Sequence, residues 1–316
     1  MNTPRSFKDA LIDQVHAGTA DPMYVVEQMQ RLTPTQARIG RVFTPASTDE
    51  RITQYTKARE IRRQIKEQKI PFLFDEFMPD FFLSQGLVLV GAESGKSKST
   101  TCGNLLAGFL KASDRNAIVV SNEEAMDAVY ERTACVLLSL NYTQFYHGKY
   151  PDNVVNSIVR CVQEDIIPRC IVVDDGEFNM SFLEDVQSVL ESGIHNNVGI
   201  AFIDYLQVIT QSRKNPDLEA FQISKKLGFY LKDFGKTNGI PVVCFAQLSK
   251  DSDAKSMAER VQNDKTFFNH AFIAVEVRPD FETLTTTFII QKDRFNGCSG
   301  KEVVLDFKGG RFVRPF

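Results

Sequence analysis

The chain has 316 residues, of which 43% are hydrophobic, and a formal net charge of −3. That is enough apolar material for one large α/β domain with a small appendage. It excludes a globally basic surface, so any nucleic-acid contact must be local or concentrated by assembly. No apolar run approaches the ~20 residues that span a membrane, and the opening Met1-Asn2-Thr3-Pro4-Arg5-Ser6 has no apolar signal core. The six cysteines fall singly, without C-x-x-C pairs, mostly in apolar surroundings. They read as reduced core thiols of a cytoplasmic protein. The four histidines are far apart, and no zinc site is expected.

Residues 1–48 form a short mixed segment. Phe7, Leu11, Ile12 and Val15 recur at helical spacing, Met23 to Leu32 suggest a second helix, and Thr33-Pro34 and Thr44-Pro45 punctuate the rest. This is too little for a sizeable core, so it reads as an arm or small helical appendage. Residues 49–70 predict a linker helix. Ile52, Tyr55, Ala58, Ile61 and Ile65 make a narrow apolar stripe among seven basic residues, and Pro71 ends it. Such a helix either lies solvated on its own domain or docks on a neighbouring subunit. Phe72, Phe74, Phe77, Phe81 and Phe82 then mark the entry to the main domain, 71–316.

The stretch Gly86 to Thr101, GLVLVGAESGKSKSTT, reads as buried strand, small-residue loop and helix start. Leu105, Leu106, Phe109 and Leu110 continue it at helical spacing. Strand, loop and helix with Lys-Ser at the helix mouth is the phosphate-binding P-loop arrangement. Backbone N–H groups and the helix dipole hold phosphate oxygens, the Lys reaches the terminal phosphates, and the hydroxyl ligates Mg²⁺. The plainer reading is a small-residue turn. Two registers compete. Gly91 with Gly95-Lys96-Ser97 has the right letters but is one residue short. Ala92 with Ser97-Lys98-Ser99 has the right length and sets Ser99 and Thr100 at the helix start. The second register is preferred, although it puts Ser97 where φ > 0 is wanted, at roughly 1–2 kcal/mol. The nucleotide-binding residues are then Ala92, Glu93, Ser94, Gly95, Lys96, Ser97, Lys98, Ser99 and Thr100.

Beyond this point strands and helices alternate, which predicts a mostly parallel sheet with helices on both faces. Strands are expected at 117–120, 171–173 (ending in Asp174-Asp175), 199–203 and 241–245, with helices at 125–140, 152–166, 181–192 and 218–236, the last closed by Gly239. Residues 272–277, 285–291 and 303–307 alternate more and read as antiparallel edge strands. Polar residues recur at the C-terminal ends of the apolar strands: the loop itself, Glu123, Asp204 and Gln247. Ligands bind at that edge of open α/β sheets. Each has a plain structural reading, as a cap, a helix start or a partner for loop amides, but four in series point to phosphoryl transfer. Asp204, with Ser99, would hold Mg²⁺, Glu123 would orient the attacking water, and Gln247 would sense the γ-phosphate.

These residues resemble the DnaB family of replicative helicases, which have a RecA-like ATPase core. Ile203-Asp204-Tyr205-Leu206-Gln207 is similar to the family's I-D-Y-L-Q element, and Val120-Ser121-Asn122-Glu123 to its S-x-E strand end, with Arg132 further along the next helix. Ile171-Val172-Val173-Asp174-Asp175, Ile223-Ser224-Lys225-Lys226-Leu227 and Pro241 to Leu248 resemble further family elements in order. Lys292-Asp293-Arg294, then Asn296-Gly297, resembles K-x-R-N-G with Phe295 as an extra residue. Asn104, six residues after Lys98, also fits the family and supports the Lys98 register. The resemblance runs over about residues 70–316. It implies ATP and Mg²⁺ as cofactors, Arg132 at the nucleotide, and Arg294 with Lys292 as cations acting on ATP in the adjacent subunit of a ring, expected to be a hexamer. The ring would translocate on single-stranded DNA at a replication fork. Two polar loops, with Arg213 and Lys214 and with Lys250, Lys255 and Arg260, are candidates to touch strand phosphates. Ser97 departs from the usual Gly. The arm leaves no room for the family's helical N-terminal domain, so a compact phage or plasmid type is expected, with loader and primase partners open. A RecA-type recombinase, or a non-catalytic scaffold that binds DNA or a replisome partner, stands as the alternative.

Overall fold

The computed structural model describes residues 56, 86–174, 180–250, 256–261, 265–294 and 297–314. The expected arm, linker helix and aromatic run lie outside the described residues save Thr56, as do Asp175, Lys255, Phe295 and Asn296.

The first strand, β1 (Gly86–Glu93), sits in the middle of the sheet because its Leu87 to Val90 are apolar on both faces and fully or almost fully buried. It leads into α1 (Lys98–Ala112). Then follow β2 (Asn116–Ser121), α2 (Met126–Leu137), α3 (Tyr142–Tyr146) and α4 (Asp152–Cys161). Helix α4 runs on through a π-turn at Val162–Ile166 and a short 3₁₀ turn holding Pro168, which has no N–H to continue it. After these come β3 (Cys170–Asp174), α5 (Leu183–Ile194) and β4 (Val198–Asp204). Helix α6 (Ala220–Asn238) precedes β5 (Pro241–Leu248). Two short helices, α7 (Met257–Arg260) and α8 (Thr266–His270), lead to β6 (Ile273–Asp280), β7 (Thr285–Asp293), β8 (Glu302–Lys308) and β9 (Arg311–Val313).

The strand order is β3-β2-β4-β5-β1-β6-β7-β8-β9. The predicted antiparallel edge needs one correction. β6 is parallel to β1 on one side and antiparallel to β7 on the other. Helical residues between β5 and β6 carry the chain back across the sheet, and such a crossover makes β6 parallel. Only β7 to β9 form the antiparallel flank.

Alternate residues of each central strand feed two cores. Val88, Val90, Val119, Phe202 and Phe245 face the α1–α2 side. Leu87, Leu89, Ile118, Ile203 and Cys244 face the α5–α6 side. All six cysteines are free and buried, and burial pushes the thiols of Cys135 and Cys170 up to about 12. Asn104 explains part of its own placement: its amide donates to the Gly310 carbonyl (2.9 Å) and its oxygen accepts from Phe312 N–H (3.2 Å), pinning α1 to the β8–β9 turn. Gly239 ends α6 in the left-handed region (φ 67°), as expected.

Helix α6 lies close against the start of β1 because position 235 has no side chain. A Cβ there would meet the Gly86 Cα at 2.7 Å and the Ile240 carbonyl at 2.8 Å, both backbone atoms. Gly235→Ala is expected to destabilise the domain by about 1–3 kcal/mol, read as a lowered urea midpoint at unchanged slope.

Candidate active site

The loop after β1 is shaped by two left-handed residues. Lys96 N–H donates to the Glu93 carbonyl (3.1 Å) to close a turn. Gly95 has φ 68° and Ser97 has φ 67°. Glycine takes that conformation freely, whereas serine does so at a cost of roughly 1–2 kcal/mol. Ser97 is the N-cap of α1, and its carbonyl accepts from both the N–H (2.9 Å) and the hydroxyl (2.8 Å) of Thr101. Helix α1 therefore starts at Lys98, with Ser99 and Thr100 in its first turn. Lys96 turns away, its Nζ 4.8 Å from the Phe281 ring at the tip of the β6–β7 hairpin. Lys98 is 6% exposed, its Nζ 5.6 Å from the Tyr205 ring centre, and it forms no salt bridge among the described residues.

Asp204 ends β4 opposite Ser121 of β2 and is 4% exposed. The Ser99 hydroxyl hydrogen-bonds its carboxylate, yet Oδ1 has no hydrogen-bond partner among the described residues. Burial pushes this carboxyl up to about 7; Glu123 and Glu124 add to the rise, and the Ser99 hydrogen bond and Lys98 oppose it. A buried carboxylate oxygen with no donor beside a helix-mouth hydroxyl is a donor set that suits a hard divalent cation. Asp204 and Ser99 thus fit Mg²⁺. Ser99, Ser121, Glu124, Arg132 and Asp204 line one small pocket beneath the loop.

The strand end at β2 splits two neighbouring acids. The Ser121 hydroxyl accepts from Glu124 N–H (3.2 Å), bending the chain at once after the strand. Glu123 is left exposed near Asp204. Glu124 turns inward and pairs with Arg132, whose guanidinium lies 4.4 Å from the Tyr142 ring centre and whose Nε is buried without a hydrogen-bond partner among the described residues. Sequence reading passed over Glu124 and Tyr142, because two adjacent acids cannot be assigned without knowing which way the turn runs. It also gave no role to Gln207. The Gln207 amide donates to the Gln247 carbonyl (3.0 Å) and its oxygen accepts from Gln247 N–H (3.1 Å), so Gln207 fixes the backbone of Gln247. Its place in the Asp204 motif was the available signal. Asp174 caps α2, accepting from Met126 N–H (3.0 Å).

Lys292 and Arg294 stand apart from this cluster. Lys292 Nζ donates to the carbonyls of Phe268 (2.6 Å) and Asn269 (3.1 Å), and Arg294 also donates to Asn269 (3.0 Å). Both cations gather on the last carbonyls of α8. Burial, then Arg294 and Lys232, lowers the Lys292 ammonium to about 8.

The sequence profile of the DnaB-like helicase C-terminal domain matches residues 74–264. The chain belongs to that family. Replicative DNA helicases DnaB of Mycoplasma pneumoniae and Helicobacter pylori 26695 are 23% and 24% identical to it over 185 residues. The matches take in 56% and 58% of this chain but 38% and 37% of those proteins, so the chain spans little more than a third of their length. Among solved structures, the ATPase domain of G40P superposes with a TM-score of 0.66 at 16% identity, over 86% of this chain and 99% of that one. A DnaB-like replicative helicase, described with its interactions with primase, gives 0.65 at 16% identity, over 78% and 62%. The fold is RecA-like.

Within this DnaB-like domain the two basic loops differ from expectation. Arg260 is not a surface cation: it is 2% exposed and paired with Glu276 and Glu93, which excludes it from strand contact. These two carboxylates and the Ser249 carbonyl take up its donors in place of solvent. Arg213 is exposed but already paired with Asp185 and stacked over Phe182 (4.2 Å). The N–H groups of Arg213 and Lys214 both donate to Glu184, fixing this loop to the N-terminus of α5. Lys214 and Lys250 are exposed.

Two outcomes follow from this geometry. Ser97→Gly relieves the left-handed strain, less the greater freedom of glycine in the unfolded chain, and is expected to stabilise by about 0.5–1 kcal/mol in thermal unfolding. The raised Asp204 carboxyl holds a proton in the native state that the unfolded chain releases near its ordinary value of ~3.9. Its contribution is therefore fully present below about pH 4 and lost as pH rises through about 7. Asp204→Asn is expected to be the more stable protein above pH 7, by roughly 2–4 kcal/mol without nucleotide. The gap should close towards pH 4 when unfolding midpoints are compared across pH.

Proposed function

We propose that this chain is an ATP-dependent DNA helicase that forms a ring, expected to be a hexamer, and moves along single-stranded DNA to unwind duplex at a replication fork. One observation carries the reading: a buried ammonium (Lys98) and a buried carboxylate with an open oxygen (Asp204), neither of them ion-paired among the described residues, meet at one strand edge, under a loop that opens a helix. Such a pair is costly unless a ligand completes it. A triphosphate with its metal does so. Family membership and the likeness to the G40P ATPase domain support the same reading.

The roles follow from the placement. The N–H groups of residues 95–100 and the helix dipole receive the β-phosphate. Lys98 reaches the β- and γ-oxygens. Mg²⁺, held by Ser99 and Asp204, supplies positive charge against the oxygens where charge builds. Glu123, exposed at the end of β2, orients the attacking water, while Arg132, backed by Glu124 and Tyr142, meets the rest of the nucleotide. Gln247, held by Gln207, reads the γ-phosphate from the adjoining strand. Lys292 and Arg294 act on the nucleotide of a neighbouring subunit, leaving the α8 carbonyls when that phosphate is near. Lys214 and Lys250 face single-strand phosphates in the ring channel. A cytoplasmic replication role suits this activity, with a loader or primase as further partners.

The test is ATP hydrolysis with and without single-stranded DNA for wild type, Lys98→Ala and Lys96→Ala. Lys98→Ala is expected to lose at least about 100-fold in turnover, and Lys96→Ala to stay within a few-fold of wild type. Equal losses in both, or a wild type that neither binds nor hydrolyses ATP with Mg²⁺ and DNA, overturns the reading.

A further inference from the structure

Arg260 is among the largest fully buried side chains of the protein, and none of the roles above uses it. Its guanidinium faces the ends of three strands. Nε donates to the Ser249 carbonyl (3.2 Å), two residues beyond Gln247. One terminal nitrogen donates to the Glu93 carboxylate (2.8 Å), at the entry to the phosphate loop. The other donates to Glu276 in β6. Glu276 is 1% exposed and lies beside Gly91 in the sheet. It also accepts from Arg278 (2.7 and 3.2 Å) and from the Gln291 amide of β7 (2.8 Å). Gln291 immediately precedes Lys292.

The result is an unbroken line of hydrogen bonds from Glu93 through Arg260 and Glu276 to Gln291. Most of it is charge-assisted, and its centre is shielded from water. Buried bonds of this kind do not yield gradually, since an ion deprived of one partner must find another. The backbone reinforces the centre: Ser249 N–H donates to the Arg260 carbonyl (2.8 Å), and Leu248 bridges to Val261. Glu93 is the sensitive end. It is 28% exposed, and its carbonyl closes the turn of the phosphate loop. A triphosphate arriving there repels its carboxylate and favours its pairing with Arg260.

We propose that Arg260 is a positioning residue that ties the phosphate loop to β7, so that nucleotide bound at Lys98 is felt at the strand carrying Lys292 and Arg294. This rests on the nucleotide-binding reading of Ser97 to Ser99 and adds to it a route from a subunit's own nucleotide to the cations it offers its neighbour. Removing Arg260 itself would take a charged partner from the buried Glu276 carboxylate and threaten the fold. The line is therefore cut at its ends. Glu93→Gln leaves the Arg260–Glu276 pair in place, and Gln291→Leu leaves Arg260 wholly paired.

Hydrogen exchange of the full chain, with and without saturating Mg²⁺ and a non-hydrolysable ATP analogue, reads the connection directly. In wild type the analogue is expected to slow exchange about fivefold or more at residues 93–101, 256–261 and 289–294. At an analogue concentration that saturates the variant, whatever its affinity, Glu93→Gln should still respond at 98–101 and lose the other two. Gln291→Leu should keep the first two and lose only 289–294. Wild-type responses at 289–294 in both variants, or a wild-type response confined to 93–101, overturns the strut. A wild type in which the analogue changes exchange nowhere overturns the nucleotide reading itself, and so marks a different failure.

Discussion

A lysine and an aspartic acid buried under one loop organise this domain. Lys98 and Asp204 lie at the ends of different elements, and neither could be held out of water by a flexible segment. The parallel sheet does it. β1 and β4 bring their C-terminal ends to one edge, and the helices packed on both faces exclude solvent from below. The same exclusion is what raises the Asp204 carboxyl. A site that is unstable until filled is suited to binding a highly charged ligand, because the ligand removes a penalty the fold has already imposed.

The loop above that pair is built from conformational strain and its repair. Ser97 takes a backbone shape that serine disfavours, and two hydrogen bonds from Thr101 to its carbonyl hold it there. Further along, Asn104 fastens α1 to the β8–β9 turn, so the helix carrying Lys98 is anchored at a point far from the loop. Strain at the helix mouth persists because the surrounding contacts leave the backbone no other course.

The positive charges of the chain are sorted by burial rather than by their position in loops. Arg260 sits inside a network of acids that joins three strands, and Arg213 is committed to Asp185. Among the described residues, Lys292 and Arg294 are held by backbone carbonyls and aromatic rings rather than by carboxylates. Carbonyl contacts are readily exchanged for a stronger anion, whereas a buried carboxylate partner is not. Cations of similar appearance in the sequence thus differ in what they are able to reach.

Local pattern was sufficient for much of this. The doubly apolar run Leu87 to Val90 required a covered strand, the spacing Ala92 to Ser99 set where α1 begins, and Asp204 and Gln247 marked the polar C-terminal edge of the sheet by following apolar strands. These features depend on near neighbours, and neighbours are what a sequence displays. The parallel course of β6, the inward turn of Glu124 and the fate of Arg260 were decided by tertiary structure. Arg260 finds Glu93, 167 positions away, because β1 pairs with β5 and Leu248 at the end of β5 bridges to Val261. No periodicity or composition window spans that distance, and an arginine's preference between solvent and a buried acid is settled by which strands close around it.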